Sequence, residues 1–348
     1  MSKAEKGRFF EDFALGETIE HATPRTITDG DVALYQALYG ARFAPQSSVP
    51  FARALGLKTA PLDDLLVFHT VFGKSVPDIS LNAVANLGYA QGRFLAPVYP
   101  GATLSAVSEV IGLKENSNRK TGIVYVKTTG HDETGQEVLS YARWVMVNKR
   151  DEKSPAPKDS VPTLAKAVAP AELVPPLARF GSYDYKLAGS TQRWADYAIG
   201  EKIDHSDGAT IEEAEHQLAT RLYQNTAKVH FNAHLQAQSR FGKRLVYGGH
   251  VISIARALSF NGLENAVNIV ALSAGAHVAP AFAGDTIYAW SEILDRAEAP
   301  GRADVGFLRL RTIATKNEAC SGFPYRDGAG AYLPSVVLDL DYWVAIPR

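Results

Sequence analysis

One cysteine in 348 residues rules out an internal disulfide, so packing rather than covalent crosslinking must hold this chain together. That residue, Cys320, sits in the glycine-rich stretch "NEACSGFPYRDGAG" with no histidine near it in sequence. A lone thiol fits a reducing cytoplasm. An excess of either charge is also missing: 36 Lys and Arg face 37 Asp and Glu, for a formal net charge of −1. No overall electrostatic case therefore exists for nucleic acid or an anionic membrane as the main partner. No apolar run approaches the roughly 18–20 residues that span a bilayer. The opening "MSKAEKGRFFEDFALGE" lacks the apolar core of a signal peptide. These absences predict a cytoplasmic location, with no membrane and no nucleic acid as partner.

What is present is an ordinary globular composition, 46% hydrophobic and 21% charged, in a chain long enough for two domains. The chain also repeats itself. Phe10 to His21 reads "FEDFALGETIEH" and Trp194 to His205 reads "WADYAIGEKIDH", 184 residues later. "APVYPGATLSAVSEV" from Ala96 returns as "APAFAGDTIYAWSEI" from Ala279, 183 residues later. Near the ends of the two copies, "YARWVMV" and "LDYWVAI" set Trp144 opposite Trp343. Three matches in one order at nearly constant spacing indicate a tandem duplication. Between the copies, "KSPAPKDSVPTLAKAVAPAELVPPLARFG" holds six prolines. Proline fixes φ and removes a backbone donor, so this reads as an irregular tether outside either core. The expected layout is an N-terminal domain over 1–150, a linker over 151–185 and a C-terminal domain over 186–348.

Each copy has the same coarse plan. A helical segment ("DGDVALYQALYG", "IEEAEHQLATRLYQN") precedes a second helix ("PLDDLLVFHTVFGKSV", "GGHVISIARALSF"), and strands follow. "GFLRLRTI" alternates Leu308 and Leu310 with Arg309 and Arg311, the period of a half-buried strand. "TGIVYVKTTG" is rich in β-formers, and "HDETGQE" supplies a turn. One long helix followed by about four antiparallel strands, twice over, is an α+β plan.

The chemistry-bearing stretch is "LYQNTAKVHFN", where Asn225 and His230 stand five residues apart shortly before the glycine pair in "RLVYGGHVIS". A histidine titrates near neutral pH and can take a proton from water and return it. Backbone N–H groups of Gly248 or Gly249, at a helix N-terminus, could hold negative charge developing on a ligand oxygen. His230 and His234 also have the i, i+4 spacing of helical zinc ligands, but no Glu lies between them and no third ligand is apparent, so no metal is assigned. Lys228, Lys243, Arg244 and Arg256 are nearby cations that could meet phosphates or a carboxylate.

The plan resembles the hotdog fold, and the motifs resemble the MaoC-like (R)-specific enoyl-CoA hydratase group. In that group an Asp and a His five residues apart precede a His-Gly loop at the start of the central helix. Here "NTAKVH" keeps the spacing with Asn225 at the Asp position, and "VYGGH" stands at the glycine loop. Over its full length, with "YGGHVIS", "GAHVAP" and "AGDTIYAWSE", the chain is similar to the double-hotdog members that act on mesaconyl-CoA. The resemblance implies two hotdog domains paired as a pseudo-dimer, an acyl-CoA substrate, no cofactor beyond its CoA moiety, and reversible hydration by His230 and Asn225. At the repeat offset Asn225 corresponds to Ala41 and His230 to Gln46. With one residue of slip, Gly248 and Gly249 correspond to Asp63 and Asp64. The first copy is therefore expected to be a substrate- or CoA-holding scaffold, with one working site per chain. A hotdog thioesterase and a non-catalytic acyl-CoA sensor are the competing readings, and both a monomer and a homo-oligomer of pseudo-dimers are open.

Overall fold

The computed structural model describes residues 6–348; the first five residues of the stretch read for a leader lie outside them. Ten strands form a single antiparallel sheet: β1 (Thr18–Thr26), β2 (Ala83–Phe94), β3 (Thr103–Glu115), β4 (Thr121–His131), β5 (Glu137–Asn148), β6 (Lys202–Thr210), β7 (Asn268–His277), β8 (Thr286–Glu298), β9 (Val305–Lys316) and β10 (Val336–Pro347). Their spatial order is β1-β3-β4-β5-β2-β7-β10-β9-β8-β6. The second five mirror the first five, and the halves join where β2 pairs with β7 (Tyr89 opposite Gly275, Arg93 opposite Ala271). The helices of the first half are α1 (Asp29–Tyr39), α2 (Ala44–Ser47), α3 (Val49–Ala54) and α4 (Asp64–Ile79). A short α5 (Tyr185–Ala188) precedes those of the second: α6 (Glu213–Leu222), α7 (Lys228–Phe231), α8 (Ala233–Gln236), α9 (Gly248–Leu258) and α10 (Phe260–Leu263).

The long apolar helix behaves as its composition demands. Leu65, Phe68, Val71 and Val76 of α4 are essentially inaccessible, and α4 packs on β1, β3, β4 and β5. Helix α9 packs on β6, β8 and β9. A sheet wrapped around one central helix per half is the double hotdog expected from the sequence. The repeat offset reappears as contact across the pseudo-twofold: Tyr39 Oη lies 2.8 Å from Tyr223 Oη, and His69 Nε2 lies 3.1 Å from Ser253 Oγ. The repeated histidines have matching partners. His21 Nε2 meets Ser108 Oγ at 2.7 Å, and His205 Nε2 meets Ser291 Oγ at 2.8 Å.

Two expectations need correction. Each half has five strands, because β1 and β6 precede the helices. They are edge strands with few buried positions, so they leave little periodicity in the sequence. The inter-copy segment is irregular, as its prolines require, but it is not outside the cores. Val168, Leu173, Phe180 and Tyr183 are buried in a cluster with Phe51 and Leu55 of the first half and Val270, Phe307 and Trp343 of the second. These few apolar residues anchor the later part of an otherwise exposed segment on both halves.

Candidate functional site

The loop leaving α6 carries the first two groups. Gln224 takes a positive φ of 51°, and Asn225 N–H returns to Thr220 O at 3.1 Å. Asn225 is buried, and its Oδ1 accepts the N–H of Ala227 at 3.0 Å. That bond leaves the amide NH₂ as the group free to meet a ligand. His230, also buried, donates from Nδ1 to Leu245 O at 2.8 Å. The bond assigns the tautomer, with Nε2 carrying the lone pair of a base. Burial pushes the imidazole pKa down to about 4, with smaller effects from Leu245 and His216, so the ring is neutral at pH 7.

Helix α9 brings the glycines beside it. Tyr247 is its N-cap, and the Tyr247 and His230 rings are 5.7 Å apart. Among the described residues no acceptor takes the N–H of Gly248 or Gly249. Both glycines are forced by two further imidazoles. A Cβ on Gly248 would lie 2.3 Å from His277 Cε1, and one on Gly249 would lie 2.5 Å from His69 Cε1. His277 Nε2 meets Tyr89 Oη at 3.0 Å, and His69 Nδ1 meets Tyr247 Oη at 3.3 Å. Burial holds His277 down to about 4 and His69 to about 3. The outcome is a neutral, desolvated histidine–tyrosine cluster around the start of α9, where hydrogen bonds to a developing oxyanion are strong.

Next to this cluster an open cavity of about 520 Å³ is walled by both halves. The second half supplies Arg221, Gln224, Asn225, Thr226 and Phe231; the first supplies Thr23, Gly73, Lys74 and Pro77. Helix α4 approaches at backbone contact, since a Cβ on Gly73 would lie 1.8 Å from Tyr223 O. His230 and the glycines are not in that lining; His230 directly precedes the lining Phe231.

The mirrored location is also a cavity, of about 380 Å³. Six of its lining residues stand at the repeat offset from lining residues of the first, among them Gly40 for Gln224, Arg42 for Thr226, Asp207 for Thr23, Ala257 for Gly73 and Leu258 for Lys74, while Ala41 and Gln46, the counterparts of Asn225 and His230, line a separate narrow pocket. The chemistry does not repeat. Gln46, at the His230 position, is buried with Nε2 donating to Val267 O at 3.0 Å. Helices α4 and α9 begin at Asp64 and Gly248, so Gly248 matches Asp64 without slip and Tyr247 matches Asp63. There Asp63 caps the helix, accepting Leu65 N–H at 2.8 Å, and Asp64 accepts Ile269 N–H at 2.8 Å. Burial, then Asp63, pushes Asp64 up to about 7. Carboxyl groups thus occupy the helix start that is open at α9, a poor place for a thioester oxyanion.

The four cations read from the sequence stand apart from the cavity lining. Lys228 is exposed, and the Lys243 ammonium lies 4.4 Å from the centre of the Phe282 ring. Arg244 pairs with Glu213 and donates to Phe231 O at 3.5 Å. Arg256 is buried on the degenerate side, 3.7 Å over Phe43, where it lowers the pKa of Asp63 and Asp64 against their burial. His234 is exposed on a different short helix from His230, and among the described residues no three His, Cys, Asp or Glu cluster as metal ligands. The sequence reading missed His277, although "GAHVAP" contains it. It also missed His69, Gly73 and Lys74, which come from the opposite copy and carry no local signal.

Residues 1–325 match the family model described as mesaconyl-CoA hydratase. The chain is 62% identical to the β-methylmalyl-CoA dehydratase of Chloroflexus aurantiacus, covering 100% of this chain and 99% of that protein. It is also 62% identical to the mesaconyl-CoA hydratase of Cereibacter sphaeroides, covering 99% and 100%. A crystal structure of a MaoC domain protein dehydratase from Chloroflexus aurantiacus superimposes with a TM-score of 0.98 at 61% identity, over 100% and 99% of the two chains. A Mycobacterium tuberculosis protein described as a double hotdog fold gives 0.80 at 25% identity, over 98% and 99%. With a family-model match over residues 1–325 and 62% identity over essentially its full length, the chain belongs to the mesaconyl-CoA hydratase family.

Proposed function

We propose that the protein is a hydro-lyase that adds water reversibly to mesaconyl-CoA, giving β-methylmalyl-CoA, at one site per chain. The observation that carries this reading is the polarity of the two mirrored cavities. An amide NH₂ in one of them, with a base holding a free lone pair and a helix start with open N–H groups beside it, belongs to the second half alone; the matching positions of the first half hold Ala41, Gln46 and, at the helix start, the carboxyls of Asp63 and Asp64. His230 Nε2 takes a proton from water as the hydroxyl oxygen bonds to the carbon bearing the substrate's carboxylate. The alkene pair moves to the α-carbon and onto the thioester oxygen, held by the N–H groups of Gly248 and Gly249. Each such donor is worth about 3–4 kcal/mol of barrier. The imidazolium then returns its proton to the α-carbon on the same face, and burial makes that acid willing to give it up. Asn225 presents its NH₂ to water or the substrate's carboxylate without adding negative charge. The proton transfers use side chains alone, and CoA enters as part of the substrate.

Among the described residues no helix is long and apolar enough to cross a membrane, and we place the enzyme in the cytoplasm. One chain already contains both hotdog units, so a homo-oligomer would be built from pseudo-dimers. Incubating the protein with mesaconyl-CoA while following enoyl-thioester absorbance and free thiol tests the reaction. Loss of absorbance without thiol supports hydration. Thiol release would make it a thioesterase, and binding without either change would make it a sensor.

A further inference from the structure

We propose that Lys74, from the first hotdog unit, is the receptor for the substrate's free carboxylate in a reaction run by the second unit. The inference rests on the proposed substrate, whose acyl group carries a carboxylate one carbon beyond the site of hydration.

Three observations place Lys74 there. Its side chain lines the same cavity as Asn225, on the wall contributed by α4. Its ammonium donates to Thr23 O at 2.9 Å and to Gln224 Oε1, two neutral acceptors, so one of its three N–H groups remains uncommitted. No carboxylate lies within ion-pair distance among the described residues, although the residue is only 4% exposed. A buried ammonium normally finds a counter-charge, and burial, then Arg25, lowers this one's pKa. Arg25 itself is paired with Asp31 at 2.5 Å. The missing anion is what a dicarboxylic acyl group would bring.

The mirror comparison separates this role from a structural one. Where α4 carries Lys74, α9 carries Leu258 in an equivalent cavity, so the fold accepts an apolar side chain at this place. Lysine stands only where Asn225 and His230 also stand. The phosphates of CoA are a poor alternative partner, since the pantetheine arm sets them far from the reacting carbons while Lys74 neighbours Asn225. Arg143, another buried cation, donates to Ser75 Oγ at 2.8 Å and covers the Phe72 ring, outside the cavity lining.

The test compares Lys74→Gln, Lys74→Leu and Lys74→Arg with the unmodified enzyme. Hydration is measured on mesaconyl-CoA and on crotonyl-CoA, which lacks the carboxylate. Competitive inhibition is measured with succinyl-CoA against butyryl-CoA. Loss of a charged hydrogen bond should lower kcat/KM for mesaconyl-CoA about 100-fold. The change on crotonyl-CoA should stay within about threefold, with partial rescue by arginine. Succinyl-CoA inhibition should weaken while butyryl-CoA inhibition holds. Equal losses on both substrates, or no loss on either, would overturn the assignment. If the unmodified enzyme fails to hydrate mesaconyl-CoA, the reaction reading fails, while the inhibitor pair still reports whether Lys74 selects a carboxylate.

Discussion

Asn225→Asp tests why an amide occupies a position where the resembling hydratases carry an acid. In the structure Asn225 Oδ1 accepts the Ala227 N–H at 3.0 Å, and aspartate would keep that bond with one oxygen. The second oxygen would replace the NH₂ and carry negative charge into the cavity. If it stands about 4 Å from the substrate carboxylate, Coulomb repulsion at an effective dielectric near 20 is about 4 kcal/mol, or about a thousandfold in kcat/KM. Lys74 in the same cavity offsets part of this, so a fall of about 10- to 100-fold on mesaconyl-CoA is expected. Crotonyl-CoA brings no second charge, and its hydration should be unchanged or faster. The assay is initial-rate loss of enoyl absorbance on each substrate. A variant that is faster on both would refute the repulsion account and leave Asn225 as an impaired catalyst.

Acid should destabilise the fold early. His69 and His250 are held down to about 3, and His205, His230 and His277 to about 4, all by burial. Their folded pKa values lie below the unfolded value of about 6.5, so the unfolded chain binds more protons between about pH 4 and 6.5, and stability falls as pH drops through that window. At pH 5.5 each ring costs about 1.4 kcal/mol, or up to about 7 together, so Tm should fall on the order of 10 °C from pH 7. A Tm flat to pH 5 by calorimetry would contradict the buried neutral rings. Gly248→Ala would set a methyl 2.3 Å from His277 Cε1. It should cost about 1–3 kcal/mol in urea unfolding and lower kcat more than tenfold by moving the helix start; unchanged kcat would remove Gly248 from the site.

The duplication was legible because it is written in residue identities, and it predicted two like halves paired as a pseudo-dimer, which the structure joins through β2 and β7. Edge strands β1 and β6 were not, because burial on few positions leaves little periodicity to read. Asn225, His230 and the glycine pair were legible because one loop and one helix start supply them at fixed spacing. His69, Gly73 and Lys74 were hidden because they become neighbours only when the other copy packs against that loop. Arg256 misled for the converse reason: it follows the glycines by a few residues, yet its turn of α9 faces Phe43 in the degenerate half. The prolines marked an irregular segment correctly, while a few apolar residues among them, Val168, Leu173, Phe180 and Tyr183, anchor its later part on the cores.

The most direct measurement is mesaconyl-CoA turnover by His230→Ala and His230→Gln, with circular dichroism to establish that each variant folds. The account predicts at least a thousandfold loss of kcat in both, since neither side chain can take and return a proton. Turnover within a few-fold of the unmodified enzyme would contradict it and assign the proton transfers elsewhere.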